Sequence, residues 1–145
     1  MRYFCPGCWE DFAEDLDRCP HCGLNIRTFF ASRDYVDKLI VALKHPEPET
    51  PGRAAWILGR RRESKAVGPL IELLRKTQDV YTASEAVRAL SRIGTPEAMA
   101  FLRTLTEHPA GMVRQAVADA LADETRAAAD HDKAKEDADG KGRYS

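Results

Sequence analysis

Apolar side chains recur every three or four positions from about residue 33 to about residue 122, with polar side chains between them. This spacing places the apolar groups on one face of an α-helix, so the segment predicts a series of amphipathic helices. The clearest stripe has the spacing i, i+3, i+4 and i+7, and it consists of Val36, Leu39, Ile40 and Leu43. A less strict stripe consists of Ala66, Leu70, Leu73 and Leu74.

The helical pattern repeats along the chain. Leu58, Leu90 and Leu121 close three similar apolar stretches and lie 32 and 31 residues apart (90 − 58 and 121 − 90). A second series lies between them at intervals of 31 and 32 residues, and it consists of Leu39, Leu70 and Leu102. Two series with one period indicate a repeating unit of two helices. The predicted helices of the first type cover about 50–60, 82–93 and 112–122, and those of the second type about 33–44, 65–76 and 96–107.

Residues that start and stop helices stand between the stripes. Thr95 followed by Pro96 is typical of an N-cap and a first helical position. Gly94 suits the left-handed residue that often follows a helix. A single pair of such helices cannot bury its apolar face, so we expect the pairs to stack into a short right-handed α-solenoid with one continuous core.

The repeated segments resemble HEAT repeats, and most closely the short subclass that is also seen in phycobilisome lyases. The resemblance covers about residues 33–122 and is carried by Ala54–Gly59, Ala86–Ala98 and Val113–Leu121. It implies a mainly α fold in a family of scaffolds, adaptors and a few enzymes. The HEAT-type hydroxylase of deoxyhypusine uses repeated His-Glu pairs, but this chain has only the reversed pair Glu107-His108 and His45-Pro46-Glu47. Phycobilin lyases have arrays of repeats that are much longer than the array in this chain.

Four cysteines lie near the start of the chain in two turns, Cys5-Pro6-Gly7-Cys8 and Cys19-Pro20-His21-Cys22. Two residues between thiolates let one tight turn direct both sulfurs at one ion, and two such turns supply the tetrahedral set of soft ligands that suits Zn²⁺. These turns resemble zinc ribbons over residues 1 to about 27. We expect one structural zinc ion, with a rubredoxin-type iron site or two disulfides as alternatives. A four-thiolate site leaves no position for water, so hydrolysis at the metal is not expected.

These observations predict three regions. We expect a zinc-ribbon-like domain with four cysteine ligands over 1–27 and a HEAT-repeat α-solenoid over 28–123. The charged segment 124–145 is nearly free of large apolar groups and cannot offset its ordering entropy, so we expect a disordered or frayed tail.

The cysteine domain is rich in aromatic residues, namely Tyr3, Phe4, Trp9 and Phe12. We expect them to pack around the cysteine turns, because so small a domain has little other apolar surface. The alternative is that one or two stay exposed and bind a partner.

The net charge and the apolar content of the chain limit which cellular locations and which classes of partner fit the sequence. The net charge is −1, so no global field draws the chain onto nucleic acid or an anionic membrane. The N-terminal segment lacks the apolar region of a secretory signal, and the longest apolar run, Leu39–Leu43, is far shorter than the ~20 residues that span a bilayer. We therefore expect a soluble, cytoplasmic protein with no membrane partner and no small-molecule substrate.

No catalytic constellation is recognisable. The chain has no Ser-His-Asp set, phosphate-binding glycine loop or His-Glu-x-x-His motif. His45 and His108 both precede a proline at equivalent turn positions, where a histidine at a helix C-terminus has a structural role. We expect a protein that is not an enzyme.

A basic cluster follows the first predicted helix, and it consists of Arg60, Arg61, Arg62 and Lys65. Long arginine side chains often lie over a helix surface in solvent, but such a cluster also suits an acidic partner or phosphates. We expect a protein-interaction adaptor whose partner contacts are drawn from this cluster and from Glu72, Arg75 and Arg103 on the second-type helices. The alternative is nucleic-acid binding through the basic cluster and the zinc module.

Overall fold

The computed structural model describes residues 1–141, which form a small two-stranded module followed by seven α-helices. The strands β1 (Tyr3–Phe4) and β2 (Asp11–Phe12) pair antiparallel. The helices are α1 (Ile26–Ala31), α2 (Tyr35–Ala42), α3 (Glu49–Arg60), α4 (Val67–Lys76), α5 (Val80–Ile93), α6 (Pro96–Arg103) and α7 (Gly111–Lys141). The mainly α architecture predicted from the sequence is confirmed.

The helices stack in the two layers that a solenoid requires. In the first layer α3 packs on α5 and α5 packs on α7, while α4 contacts α6 in the second. The pairs α2 with α3, α4 with α5 and α6 with α7 connect the layers. One apolar core runs between them, and its largest fully buried apolar side chains are Leu58, Leu70, Leu90, Leu102, Val87, Val113 and Val117. The repeated leucines therefore mark the core because each unit completes the apolar surface of its neighbour.

Side-chain caps fix where several helices begin. Asp34, Asp79 and Thr95 each accept a hydrogen bond from the backbone N–H three residues further on, at 2.8, 3.0 and 3.2 Å. These bonds satisfy donors that have no partner within the helix. The predicted cap at Thr95 and the left-handed Gly94 are both present, with a φ of 67° at the glycine.

Two of the three second-type helices, α2 and α6, end earlier than predicted, whereas α4 ends at Lys76 as predicted. After α2 and after α6 the chain continues in a tighter turn whose N–H groups bond to carbonyls three residues back, as His45 does to Ala42 and His108 to Leu105. Each histidine Nδ1 then accepts a hydrogen bond, at 3.1 Å, from the N–H two residues on. The prolines that follow the histidines cannot continue a helix, so both turns close in the same way.

The last helix continues far beyond the packed repeats. α7 extends to Lys141, and every side chain from Thr125 to Asp139 is exposed. This segment is rich in alanine, which favours a helix without apolar packing. Whether the exposed part frays stays a prediction, and residues 142–145 of the expected tail lie outside the described residues. Within residues 1–141, no helix has both the length and the apolar content needed to span a membrane.

Candidate metal centre and interaction surface

The four cysteine sulfurs converge on one point. All four Sγ atoms lie within 4.8 Å of one another, with Cys5 and Cys22 3.6 Å apart and Cys8 and Cys19 3.7 Å apart. A tetrahedron of thiolates at the usual Zn–S distance of about 2.3 Å has S···S edges of about 3.8 Å. The separations are much longer than the ~2.05 Å of a disulfide, so the arrangement suits a shared cation and does not form disulfides.

The two cysteine turns are copies of one another, 14 residues apart (19 − 5). Cys5 O accepts from the N–H of Trp9 at 2.8 Å, and Cys19 O accepts from the N–H of Gly23 at 3.0 Å. Each turn closes with a left-handed residue, since φ is 61° at Trp9 and 78° at Gly23. Glycine adopts this conformation freely, but a tryptophan does so only where its surroundings favour it.

Backbone N–H groups point at the sulfurs. Gly7 N lies 3.3 Å from the Cys5 sulfur, while His21 N and Cys22 N lie 3.4 and 3.5 Å from the Cys19 sulfur. Such donors stabilise a thiolate, which is the form of cysteine that binds a metal. His21 is exposed and does not belong to the group of cysteines that could hold a metal ion.

The pKa values of two of the clustered cysteines are shifted in opposite directions. Burial works to raise the pKa of Cys19, but the N–H groups of Cys22 and His21 and the neighbouring thiols outweigh it and lower the pKa to about 6. At Cys8 the N–H of Glu10 works to lower the pKa, whereas burial and the other thiols raise the pKa to about 12. Adjacent thiolates repel one another, so a bound divalent cation would reduce this repulsion and favour the deprotonated cysteines.

The aromatic residues of the cysteine module are half-buried. Tyr3, Phe4 and Phe12 line a shared cavity with Phe30 of α1. No cysteine lines this cavity, so packing of the aromatics around the cysteine turns stays a prediction. Phe4 and Trp9 also contact the His45 ring edge-to-face, with centroids 4.6 and 5.4 Å away. His45 therefore joins the cysteine module to the end of α2. This role of His45 was not predicted from the sequence, where its only signal is the tryptophan at the position that Gly23 occupies in the second turn.

The predicted basic cluster lies at the C-terminal end of α3, and half of it faces carboxylates of the chain. Lys65 Nζ lies 2.8 Å from Asp37 and 3.7 Å from Asp34, and Arg61 lies 3.4 Å from Glu63. The Asp37 hydrogen bond raises the pKa of Lys65. These contacts reduce the positive field of the cluster.

The remaining predicted contact residues do not join that cluster. Glu72 of α4 lies 2.6 Å from Lys76, and the guanidinium of Arg75 lies 5.3 Å from the centre of the Phe101 ring. Arg103 of α6 donates to both carboxylate oxygens of Glu124 at 2.7 Å, which ties α6 to α7. The second-type helices therefore carry these three residues, and all three have neighbours within the chain.

Two exposed aromatic side chains lie on the first-type layer. Trp56 of α3 is 44% exposed and Tyr81 of α5 is 69% exposed, and both line a cavity of about 640 Å³ between the two helices. Its lining carboxylates include Glu49, which pairs with Arg53 at 3.2 Å, and the capping Asp79. This cavity was not predicted from the sequence, although both aromatic residues fall outside the apolar stripes.

Comparison with known proteins agrees with the architecture. The family model described as HEAT repeats matches residues 36–122, which is more than half of the chain. No curated protein matches the sequence.

Proposed function

Because this chain belongs to the HEAT-repeat family, we propose that it is a non-catalytic adaptor that binds another protein. The observation that carries the proposal is the stack of repeats over residues 36–122, which presents an extended surface built on a rigid core. Such surfaces serve as platforms for partners in repeat proteins. A non-catalytic role fits two of the histidines, because His45 and His108 each accept a structural hydrogen bond within their turns.

We favour a protein partner over nucleic acid. Lys65 and Arg61 face Asp37 and Glu63, so the basic cluster offers a weaker positive field than its four cations suggest. Nucleic-acid binding depends on neutralising several phosphates along a track of cations. A cytoplasmic location, as expected from the sequence, fits an adaptor and stays a prediction.

We also propose that the four cysteines hold a structural zinc ion. When bound, zinc would offset half of the charge of the four thiolates and connect the two turns, and four protein ligands leave no site for a substrate. Elemental analysis of protein purified without added metal should give one zinc per chain. Iron at that stoichiometry, or a metal-free protein with a folded N-terminal module, would contradict this part of the proposal.

The adaptor proposal is tested by affinity purification of the tagged full chain from its native cells, before and after nuclease treatment. We expect one or a few proteins to stay enriched after nuclease, and a purified partner to co-elute with the chain in gel filtration. A chain with a disrupted core, such as Leu70→Asp, controls for nonspecific capture, since Leu70 is fully buried. Loss of every enriched protein on nuclease treatment would favour the nucleic-acid alternative.

A further inference from the structure

The residue after α3 has an unusual backbone. Arg62 has a φ of 52°, and its N–H and that of Glu63 bond to the carbonyls of Gly59 and Leu58 at 3.1 and 3.2 Å. This is the left-handed turn that commonly ends a helix, and it favours glycine. The next repeat ends α5 with Gly94, 32 residues later (94 − 62), at a φ of 67°. An arginine therefore occupies a position where glycine would be more stable.

Arg62 and its neighbour Arg60 are the unengaged cations of the basic cluster. Within residues 1–141, neither guanidinium lies within 4.0 Å of a carboxylate oxygen, whereas Arg61 and Lys65 do. The Arg60 guanidinium lies 5.0 Å from the centre of the exposed Trp56 ring. This ring supports the cation on an apolar surface and leaves its hydrogen-bond donors available.

We infer that Arg60, Arg62 and Trp56 form a docking site for an acidic segment of a partner protein. This inference rests on the proposed adaptor function and names the surface and the chemistry of its partner. A guanidinium presents paired donors that match a carboxylate, and Trp56 offers contact to an apolar side chain beside it. The unfavourable backbone of Arg62 is retained because its side chain contributes to binding.

The surroundings favour an acidic peptide over a phosphate backbone. Three carboxylates, Asp34, Asp37 and Glu63, lie within 4.0 Å of Lys65 or Arg61, the other two cations of the same basic cluster. A phosphate chain carries a charge on every nucleotide and would approach these carboxylates, whereas a peptide can place one or two acidic groups on the arginines alone.

The first test is fluorescence anisotropy with a fluorescein-labelled 12-residue peptide of alternating Glu and Leu, at low salt. We expect the full chain to bind it, and the double variant Arg60→Glu, Arg62→Glu to bind roughly tenfold or more weakly. The control variant Arg92→Glu, Lys133→Glu changes the net charge equally at two exposed positions and should stay within about twofold of wild type. Equal losses in both variants, or no binding by wild type, would overturn the inference.

The second test separates stability from binding at a single residue. Arg62→Gly should raise the melting temperature by about 2–4 °C and weaken peptide binding roughly threefold. An unchanged affinity would remove the binding role of Arg62, and a lower melting temperature would refute the backbone argument. A fluorescent oligothymidine that binds more tightly than the peptide through the same arginines would reassign the surface to nucleic acid. If the double variant Arg60→Glu, Arg62→Glu still binds the protein partner of the chain, the proposed docking site is refuted while the adaptor function stands.

Discussion

Asp79 shows how one residue both starts a helix and links its stability to pH. Its Oδ2 accepts hydrogen bonds from the Thr82 hydroxyl at 2.6 Å and from the Thr82 N–H at 3.0 Å. The Thr82 side chain, followed by its N–H, lowers the pKa of the Asp79 carboxyl. A carboxylate with a lowered pKa stabilises the folded state above its unfolded pKa of about 3.9, and this contribution is lost as the pH falls through the folded value.

Asp79→Ala should lower the free energy of unfolding by about 1 kcal/mol at pH 7, because two donors at the start of α5 lose their acceptor. Asp79→Asn retains a capping oxygen without a titratable charge. Urea denaturation from pH 7 to pH 3 should therefore show a wild-type advantage over Asp79→Asn that shrinks below pH 4. Parallel pH profiles for the two proteins would show that the charge of Asp79 is irrelevant to stability.

At the scale of elements, the contact between α3 and α5 depends on a missing side chain. A Cβ on Gly59 would lie 2.6 Å from the Cα and 2.9 Å from the Cβ of Ala89. Gly59 and Ala89 are buried, so the two helices approach closely where both residues are small. Backbone atoms of Ala89 cannot move aside without shifting α5, which also packs on α7.

Gly59→Ala should destabilise the protein by about 1–3 kcal/mol, since the added methyl group forces two stacked helices apart. Gly68→Ala is the matched control, because an added Cβ there meets no atom within 4 Å outside its chain neighbours. The helical preference of alanine is offset there by the ring of Pro69, which disfavours a helical backbone at the preceding residue, so thermal unfolding should place Gly68→Ala within about 1 kcal/mol of wild type and well above Gly59→Ala. Equal changes in the free energy of unfolding at the two glycines would show that the close approach of α3 and α5 does not contribute to stability.

Helix positions were largely predictable from the sequence, and helix ends were less so. The first-type prediction over 82–93 corresponds to α5 (Val80–Ile93), because a strong stripe and a glycine stop define it. The prediction over 96–107 extends beyond α6, which ends at Arg103. There the Thr104 hydroxyl bonds to the Phe101 carbonyl at 2.6 Å and the chain tightens into a turn. Apolar spacing cannot reveal such competition for a single carbonyl.

At the scale of the whole molecule, the cysteine module packs against the helical repeats in addition to being joined to them by the chain. Phe4 and Trp9 contact His45, and Trp9 has a left-handed backbone at the end of its cysteine turn. The sequence predicts that the module at 1–27 unfolds without its metal while the helices stay folded. Helix α1 (Ile26–Ala31) crosses that boundary, so the division into domains stays a prediction.

Chelating the metal should release Phe4 and Trp9 from His45, while far-UV circular dichroism keeps most of its helical signal. In a Trp56→Phe background Trp9 is the remaining tryptophan, so its emission should shift to longer wavelength. The melting temperature of the helices should fall by about 1–3 °C, because the contact with His45 is lost. His45→Ala should remove most of this further fall. A simultaneous loss of helical signal would show that the two parts fold as one unit.

The sequence alone determined the helical repeat, the leucines of the core and the four clustered cysteines that could hold a metal ion. These follow from spacing, because residues a fixed number of positions apart share one helix face or one tight turn. The tertiary structure decided which surface groups are paired: Asp37 and Glu63 engage Lys65 and Arg61, and in the described part of the chain no carboxylate oxygen lies within 4.0 Å of the Arg60 or Arg62 guanidinium. It also placed His45 between two aromatic rings. Such pairings join residues distant along the chain, and their distances depend on how whole helices pack.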